Sequence, residues 1–316
     1  MRRAQAAETI APTGDILDNL ASFRRHLLAA NLSQLTIRSY HHAVNQLARY
    51  LAEKGMPQDV ASLTREHVES FISHLLARRK PATANTRYRG LKVFFNWLLE
   101  EGEITADPMA RMRPPKVPES PVDVLRESDL RALMKTCEPG STFGDRRDAA
   151  LLRILIDTGV RRGEAVGLRW DPSDDTNNDI DLDAKLLRVL GKGRRERIVP
   201  IGHKTVKAID RYLRKRAQHW AAETTSFFLG HKGPLSSGGL YQIVQRRGQQ
   251  AGLGDIHPHQ LRHSFAHAWL SEGGAEGDLM RITGWKSRDM LTRYAASTGA
   301  ERAAAAHAKL GLGDRV

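Results

Sequence analysis

Apolar residues return at helical spacing four times before residue 110: Ile16, Leu20, Phe23 and Leu27; Ile37, Tyr40, Val44, Leu47 and Leu51; Val68, Phe71, Ile72, Leu75 and Leu76; and Leu91, Phe94, Phe95 and Leu98. Intervals of three and four place each set on one side of an α-helix, so the pattern predicts four amphipathic helices closing into a small bundle. Ser33 and Thr64 stand where N-caps belong, and Gly55 and Gly102 where the chain needs a stop. The periodicity then breaks at Arg111–Pro121, where Pro114, Pro115, Pro118 and Pro121 favour extended backbone and Arg111, Arg113 and Lys116 stand among them. This stretch reads as an interdomain linker, with a proline-rich partner-binding motif as the competing reading.

Beyond the linker the helical pattern resumes. Leu151, Leu152, Leu155 and Ile156 lead to Gly159, and Val206, Ile209 and Leu213 mark a further amphipathic run. Between them, Leu186–Leu190 and Arg197–Ile201 alternate as strands do, and Gly191–Glu196 joins them as a glycine-flexed, strongly basic turn. The expected class is mainly α with a small antiparallel β-sheet. The expected parts are a flexible N-terminus over 1–13, a helical domain over 14–110, a basic proline-rich linker over 111–122 and a second domain over 123–316. The Ala-rich run after Gly299, with Leu310 and Leu312, suits a terminal helix that docks either on its own chain or on a neighbour.

With 41% hydrophobic residues the chain can bury sizeable cores, and its net charge of +13 with a pI near 10.1 calls for an anionic partner. Nucleic acid is the first expectation and an anionic membrane surface the second. Most of the excess lies after Ala110, so the second domain should carry the stronger field. Nothing approaches the ~18 consecutive apolar residues of a membrane span, and Met1-Arg-Arg is not followed by an apolar signal core, so a cytoplasmic, nucleoid-associated location without a membrane partner is expected. Cys137 stands alone, which excludes an internal disulfide and a thiolate zinc finger.

Four places could carry chemistry. In Thr158-Gly-Val-Arg-Arg-Gly-Glu164, a helix should end at Gly159 and another begin near Gly163, leaving Arg161 or Arg162 in a turn between them. A guanidinium there can clamp a phosphate, and Glu164 can hold a neighbour in position. Lys192 in the hairpin turn can donate a proton to a leaving alkoxide, and Arg194 and Arg195 beside it can track a groove. His259 and Arg262, three apart after Pro258, put an imidazole and a guanidinium on one helical face. Finally, Ile282-Thr-Gly-Trp285 precedes a run ending in Tyr294. Singly, each has a plain structural reading: arginines at a helix terminus, a solvated turn, packing tyrosines. His263 and His267 are spaced as a metal pair, but no neighbouring carboxylate completes one, and no metal site is expected.

Taken in order, these residues resemble the tyrosine recombinase family, the integrases and Xer-type resolvases, from about residue 14 onward. Thr158-Gly-Val-Arg-Arg-Gly-Glu164 is similar to the family's Thr-Gly-x-Arg-x-x-Glu box, Lys192 to its Gly-Lys-Gly turn lysine, His259-Gln-Leu-Arg262 to its His-x-x-Arg box, Gly284-Trp285 to its later Gly-His/Trp pair, and Tyr294 to its nucleophile nine residues on. The resemblance implies a SAM-like core-binding bundle followed by a catalytic domain. It also implies a 3′-phosphotyrosyl intermediate on Tyr294, held by Arg161, His259, Arg262 and Trp285, with Lys192 as general acid and no metal or nucleotide cofactor. Trp285 replaces the histidine of many members, so an indole N–H stands where an imidazole could have moved a proton. Residues 172–179, acidic and Asn-rich, lengthen the segment before the sheet, and the early start of the first helical domain leaves no room for the arm-site-binding domain of lambda-type integrases.

The implied partner is double-stranded DNA with inverted half-sites, worked on by a homo-tetramer across two duplexes, with or without a second recombinase. Arg87, Arg89, Lys92, Arg246 and Arg247 are candidate groove contacts, each with a solvated helix face as its alternative. A type IB topoisomerase shares the chemistry, and a non-catalytic DNA-binding protein of the same fold is the rival from another class.

Overall fold

The computed structural model describes residues 15–118, 123–171, 173–191 and 195–288, with Leu291 and His307 beyond them. The chain divides between residues 120 and 121, inside the proline-rich segment, into two compact units.

The first unit is built from α1 (Ile16–Ala29), α2 (Gln34–Glu53), α3 (Arg65–Arg78) and α4 (Pro81–Glu100). The apolar stripes face inward as their spacing predicts, with two departures: Tyr40 is half-buried and Leu76 is exposed. α2 and α4 share the broadest contact, made possible by Gly90, where a Cβ would lie 3.0 Å from the Cβ of Ala43. Phe23 meets Phe94 edge-on at 5.2 Å between centroids, with Trp97 beside them. Ser33 Oγ accepts from Thr36 N at 3.2 Å and so closes the start of α2, while Thr64 N donates to His67 Nδ1 at the start of α3. Gly55 and Gly102 end their helices in the left-handed region. Lys92, an expected groove contact, instead pins the segment after α4 by donating to the Asp107 carboxylate and to Met109 O.

The second unit contains α5 (Glu127–Lys135), α6 (Phe143–Thr158), α7 (Arg162–Val166), β1 (Ile180–Asp181), β2 (Leu186–Leu190), β3 (Glu196–Pro200), α8 (His203–Arg216), β4 (Leu229–Gly230), β5 (Gly233–Pro234), α9 (Ser237–Gln250), α10 (Pro258–Ser271) and α11 (Glu276–Thr283). α6 is its spine: Ala149, Ala150, Leu151, Leu152, Ile154 and Leu155 are buried, and both α8 and α10 pack on it. Asp157 ties the α8 start to the α6 end, accepting from Gly202 N at 2.7 Å and Thr205 Oγ1 at 2.6 Å.

The hairpin forms where alternation predicts, with Leu187 opposite Val199 and Leu190 opposite Glu196. β3 starts one residue earlier than its apolar pattern suggests, because the register set by Leu190 recruits Glu196. β1 adds a short third strand on the β2 edge, too brief for its alternation to be read. The described part of the acidic stretch is a short helical turn in which Asp174 Oδ1 accepts from Thr176 N and Oγ1.

A buried carboxylate organises the far side of α6. Asp148, fully buried, accepts from Arg147 at 2.7 Å, Arg246 at 2.8 Å and Arg247 at 2.8 Å. Arg247 also donates to Asp145 and to Thr136 O and is itself buried, so it belongs to the core and not to a groove-facing surface. Desolvating one charge against three of opposite sign is tolerable only because every oxygen is hydrogen-bonded. Among the described residues, no helix is long and apolar enough to cross a membrane.

Candidate active site

α6 ends at Gly159, whose φ of 59° is left-handed; a Cβ there would lie 2.5 Å from Phe265 Cδ1 on α10. Glycine is therefore required twice, by conformation and by space. Two residues on, Arg161 is extended and caps α7: its N–H donates to Glu164 Oε2 at 2.7 Å, and its Nη1 to Oε1 at 2.9 Å. Glu164 is buried and shared. Arg197 on β3 reaches it in a fork, Nη2 to Oε2 at 2.7 Å and Nη1 to Oε1 at 3.0 Å. Burial opposes ionisation of Glu164, but the Arg197 fork and the Arg161 N–H outweigh it and hold the carboxyl below its ordinary value of 4.5.

α10 supplies the opposite wall. Pro258 opens the helix, and His257 Nδ1 accepts from Gln260 N to cap it. His259 is exposed at its start, and one turn on Arg262 is only 2% exposed. Arg262 donates through Nη1 to Gly159 O at 2.5 Å and through Nη2 to Thr283 O at 2.8 Å, and its guanidinium lies 5.3 Å from the centre of the buried Trp285 ring.

The C-terminal end of α11 gathers the cations. Arg197 Nε donates to Ile282 O at 2.8 Å, Arg262 to Thr283 O, and Arg161 Nη2 to Gly284 O at 3.4 Å. Three guanidiniums from three elements thus meet three successive carbonyls, which carry the negative end of the helix dipole and have no partner inside the helix. Gly284, left-handed at φ 68°, then turns the chain into Trp285. Beside this cluster opens a cleft of about 420 Å³ bordered by Arg161, Arg162, Tyr241, His257, His259 and Arg262.

Of the residues expected from sequence, the structure brings Arg161, Glu164, Arg262 and Trp285 together, with His259 at the cleft edge. Lys192, Arg194 and Tyr294 lie outside the described residues. Arg195 is exposed, and its carbonyl accepts from Gly191 N across the hairpin. Arg89 is exposed, Arg87 donates to Gln46 at 2.6 Å, and Arg246 is half-exposed while paired with Asp148. Arg162, the alternative to Arg161 in the turn, lines the cleft; the motifs do not single out Tyr241 at the cleft, Arg197 behind it, or Arg78 and Arg79, which line a second hollow with Gln46 and His74 in the first unit. The signal for Arg197 was available: it alternates with Val199 on the inward side of β3, where a cation needs a buried carboxylate.

The lowered pKa of Glu164 has a signed consequence. A carboxyl held below its unfolded value adds stability at pH above that value and loses the contribution as pH falls through its folded value. Glu164→Gln should therefore be less stable than wild type at pH 7, and the gap should narrow below about pH 4.5. Urea unfolding midpoints at pH 7 and pH 4 check this; equal gaps at both would contradict it.

A cleft walled by guanidiniums and imidazoles, with a buried indole packed behind one of the guanidiniums, in a helical unit that follows a four-helix bundle, defines a class of protein that handles phosphodiesters. The chain belongs to the phage integrase family, the tyrosine recombinases, and is a site-specific DNA recombinase: residues 123–301 match that family, and residues 20–103 match the phage integrase N-terminal SAM-like domain. The tyrosine recombinase XerD of Corynebacterium glutamicum is 34% identical over 78% of this chain and 81% of its own length. That of Listeria innocua is 30% identical over 83% and 86%. Among solved structures, the site-specific recombinase XerH bound to a palindromic difH substrate in a post-cleavage complex shares the fold, with a TM-score of 0.75 and 17% identity over 95% of this chain and 98% of that one.

Proposed function

We propose that this recombinase cleaves and rejoins duplex DNA through Tyr294, with Arg161, Arg262, His259, Trp285 and Lys192 as its catalytic set. The gathering of Arg161 and Arg262 on the α11 carbonyls, beside a cleft open to solvent, carries this reading.

The phenolic oxygen of Tyr294 attacks the scissile phosphorus as the bond to the 5′ oxygen breaks, giving a 3′-phosphotyrosine and a 5′-hydroxyl. The phenol's proton leaves to solvent or to His259 at the cleft edge, and the departing oxygen takes a proton from Lys192. Because one phosphodiester is exchanged for another, no external energy source is needed, and the reverse attack by a partner strand's 5′-hydroxyl completes exchange. Negative charge building on the non-bridging oxygens is met by Arg161 and Arg262, whose positions are fixed before the substrate arrives. The Trp285 indole N–H is the further donor.

Recombination joins two duplexes at four scissile phosphates, so the working form is a tetramer on paired inverted half-sites, acting in the cytoplasm on the nucleoid. Arg78, Arg79, Arg87 and Arg89 of the first unit and Arg194 and Arg195 of the hairpin turn are the backbone contacts. Such contacts neutralise phosphates, fix register and make binding salt-dependent.

The test separates chemistry from binding. Lys192→Ala should cleave a nicked suicide substrate at least ~10²-fold more slowly while binding it within a few-fold of wild type, as general-acid contributions of this size imply. Equal losses in gel-shift and cleavage assays would make Lys192 a DNA contact only.

A further inference from the structure

The residue that joins the parts of this site is one that touches neither the cleft nor, on the reading above, the DNA. Arg197 is largely buried, its side chain 13% exposed. All three of its guanidinium nitrogens are engaged: Nη1 and Nη2 on the two Glu164 oxygens and Nε on Ile282 O. The same carboxylate receives the backbone N–H and Nη1 of Arg161. One residue past the carbonyl held by Arg262, Gly284 O receives Arg161 Nη2, and Gly284 itself sits against Arg197, where an added Cβ would lie 3.3 Å from Nη1.

Arg161 has a 42% exposed side chain and only one short side-chain hydrogen bond, so its direction depends on where Glu164 is held. Glu164 in turn has no other charged partner besides Arg161 and Arg197 among the described ion pairs. With Arg197 absent, the carboxylate would keep its charge in a buried position with half its donors gone, and it would draw Arg161 further toward itself and away from an incoming phosphate.

We propose that Arg197 is a positioning residue of the strand-transfer reaction: its fork on Glu164 frees and aims Arg161, and its Nε anchors the α11 end that aims Arg262 and Trp285. It rests on the catalytic roles given above for Arg161 and Tyr294. Lysine cannot replace it, since a single ammonium cannot span both carboxylate oxygens and a carbonyl in this planar arrangement.

The experiment compares two substrates, one with an ordinary scissile phosphodiester and one with a methylphosphonate, which lacks one anionic oxygen and so needs less positive charge in the transition state. Full-length wild type, Arg197→Gln, Arg197→Lys, Arg161→Ala and Tyr294→Phe are assayed for single-turnover adduct formation and for binding. On the phosphodiester, Arg197→Gln and Arg197→Lys should lose ~10²-fold or more in cleavage with binding nearly unchanged, in the range seen when one preorganised donor is lost. On the methylphosphonate their deficit should shrink to within about tenfold, in step with Arg161→Ala.

A deficit equal on both substrates would overturn the proposal and leave Arg197 a fold-stabilising residue, as would an Arg197→Lys variant with wild-type cleavage. Absence of any adduct from wild type on the phosphodiester would instead bring down the reading of the site. Melting temperatures at matched conditions keep a variant that merely unfolds from passing as a positive result.

Discussion

Tyr294→Phe is expected to bind its DNA site as tightly as wild type and to form no covalent protein–DNA adduct. The substitution removes a single oxygen, the only one in the proposed set able to become a stable ester to phosphorus. Other groups of the site cannot substitute for it: the guanidiniums of Arg161 and Arg262 are permanently charged donors, and the Trp285 N–H only donates. The loss should therefore be to background, with no residual slow phase. Denaturing gels of a suicide substrate measure it, and peptide mapping of the wild-type adduct identifies the attached side chain. A nucleotide found on any residue other than Tyr294, or an adduct persisting in Tyr294→Phe, would end the proposed mechanism.

Arg262→Ala should have the next largest effect, and it should act on rate and stability together. The guanidinium is almost fully buried, bridges Gly159 O to Thr283 O and lies against Trp285. Truncation removes a proposed transition-state donor, for which losses of ~10²–10³ are usual for a neutral group and more is expected for a charged one. It also leaves two buried carbonyls short of a donor and a void between α10 and α11, at roughly 1–3 kcal/mol for each lost interaction. Cleavage should fall by at least ~10³-fold, with a clearly lower melting temperature. Arg262→Lys keeps a charge but cannot reach both carbonyls, so it should recover stability in part and rate very little. A variant that loses stability but keeps its cleavage rate would make Arg262 structural.

What the sequence made legible follows from range. The four stripes of the first unit were readable because a helix face depends on neighbours three and four residues away, and the hairpin because alternation and its glycine turn are equally local. The turn around Arg161 was readable for the same reason: Gly159 stops one helix, and the Glu164 cap at i+3 starts the next. Arg247 and Lys92 looked like surface cations because no acidic residue lies within four positions of either. Their partners are Asp148, ninety-nine residues away, and Asp107, fifteen away across a helix end. For Arg197 the alternation of β3 gives the inward side but not the partners, a carboxylate thirty-three residues back and a carbonyl eighty-five ahead. A basic residue's destination is settled by the fold, and a spacing rule cannot see it.

The dependence on α11 reaches beyond geometry. This helix is eight residues long, and its last carbonyls are the common seat of three cations supplied by β3, α7's cap and α10. Short segments with few internal bonds open and reclose far more often than the cores they lean on. Each such fluctuation here would remove one anchor from all three positive charges at once. The lifetime of the competent arrangement is therefore bounded by the fraying of two helical turns, so warming should silence the enzyme while most of its amides still resist deuterium.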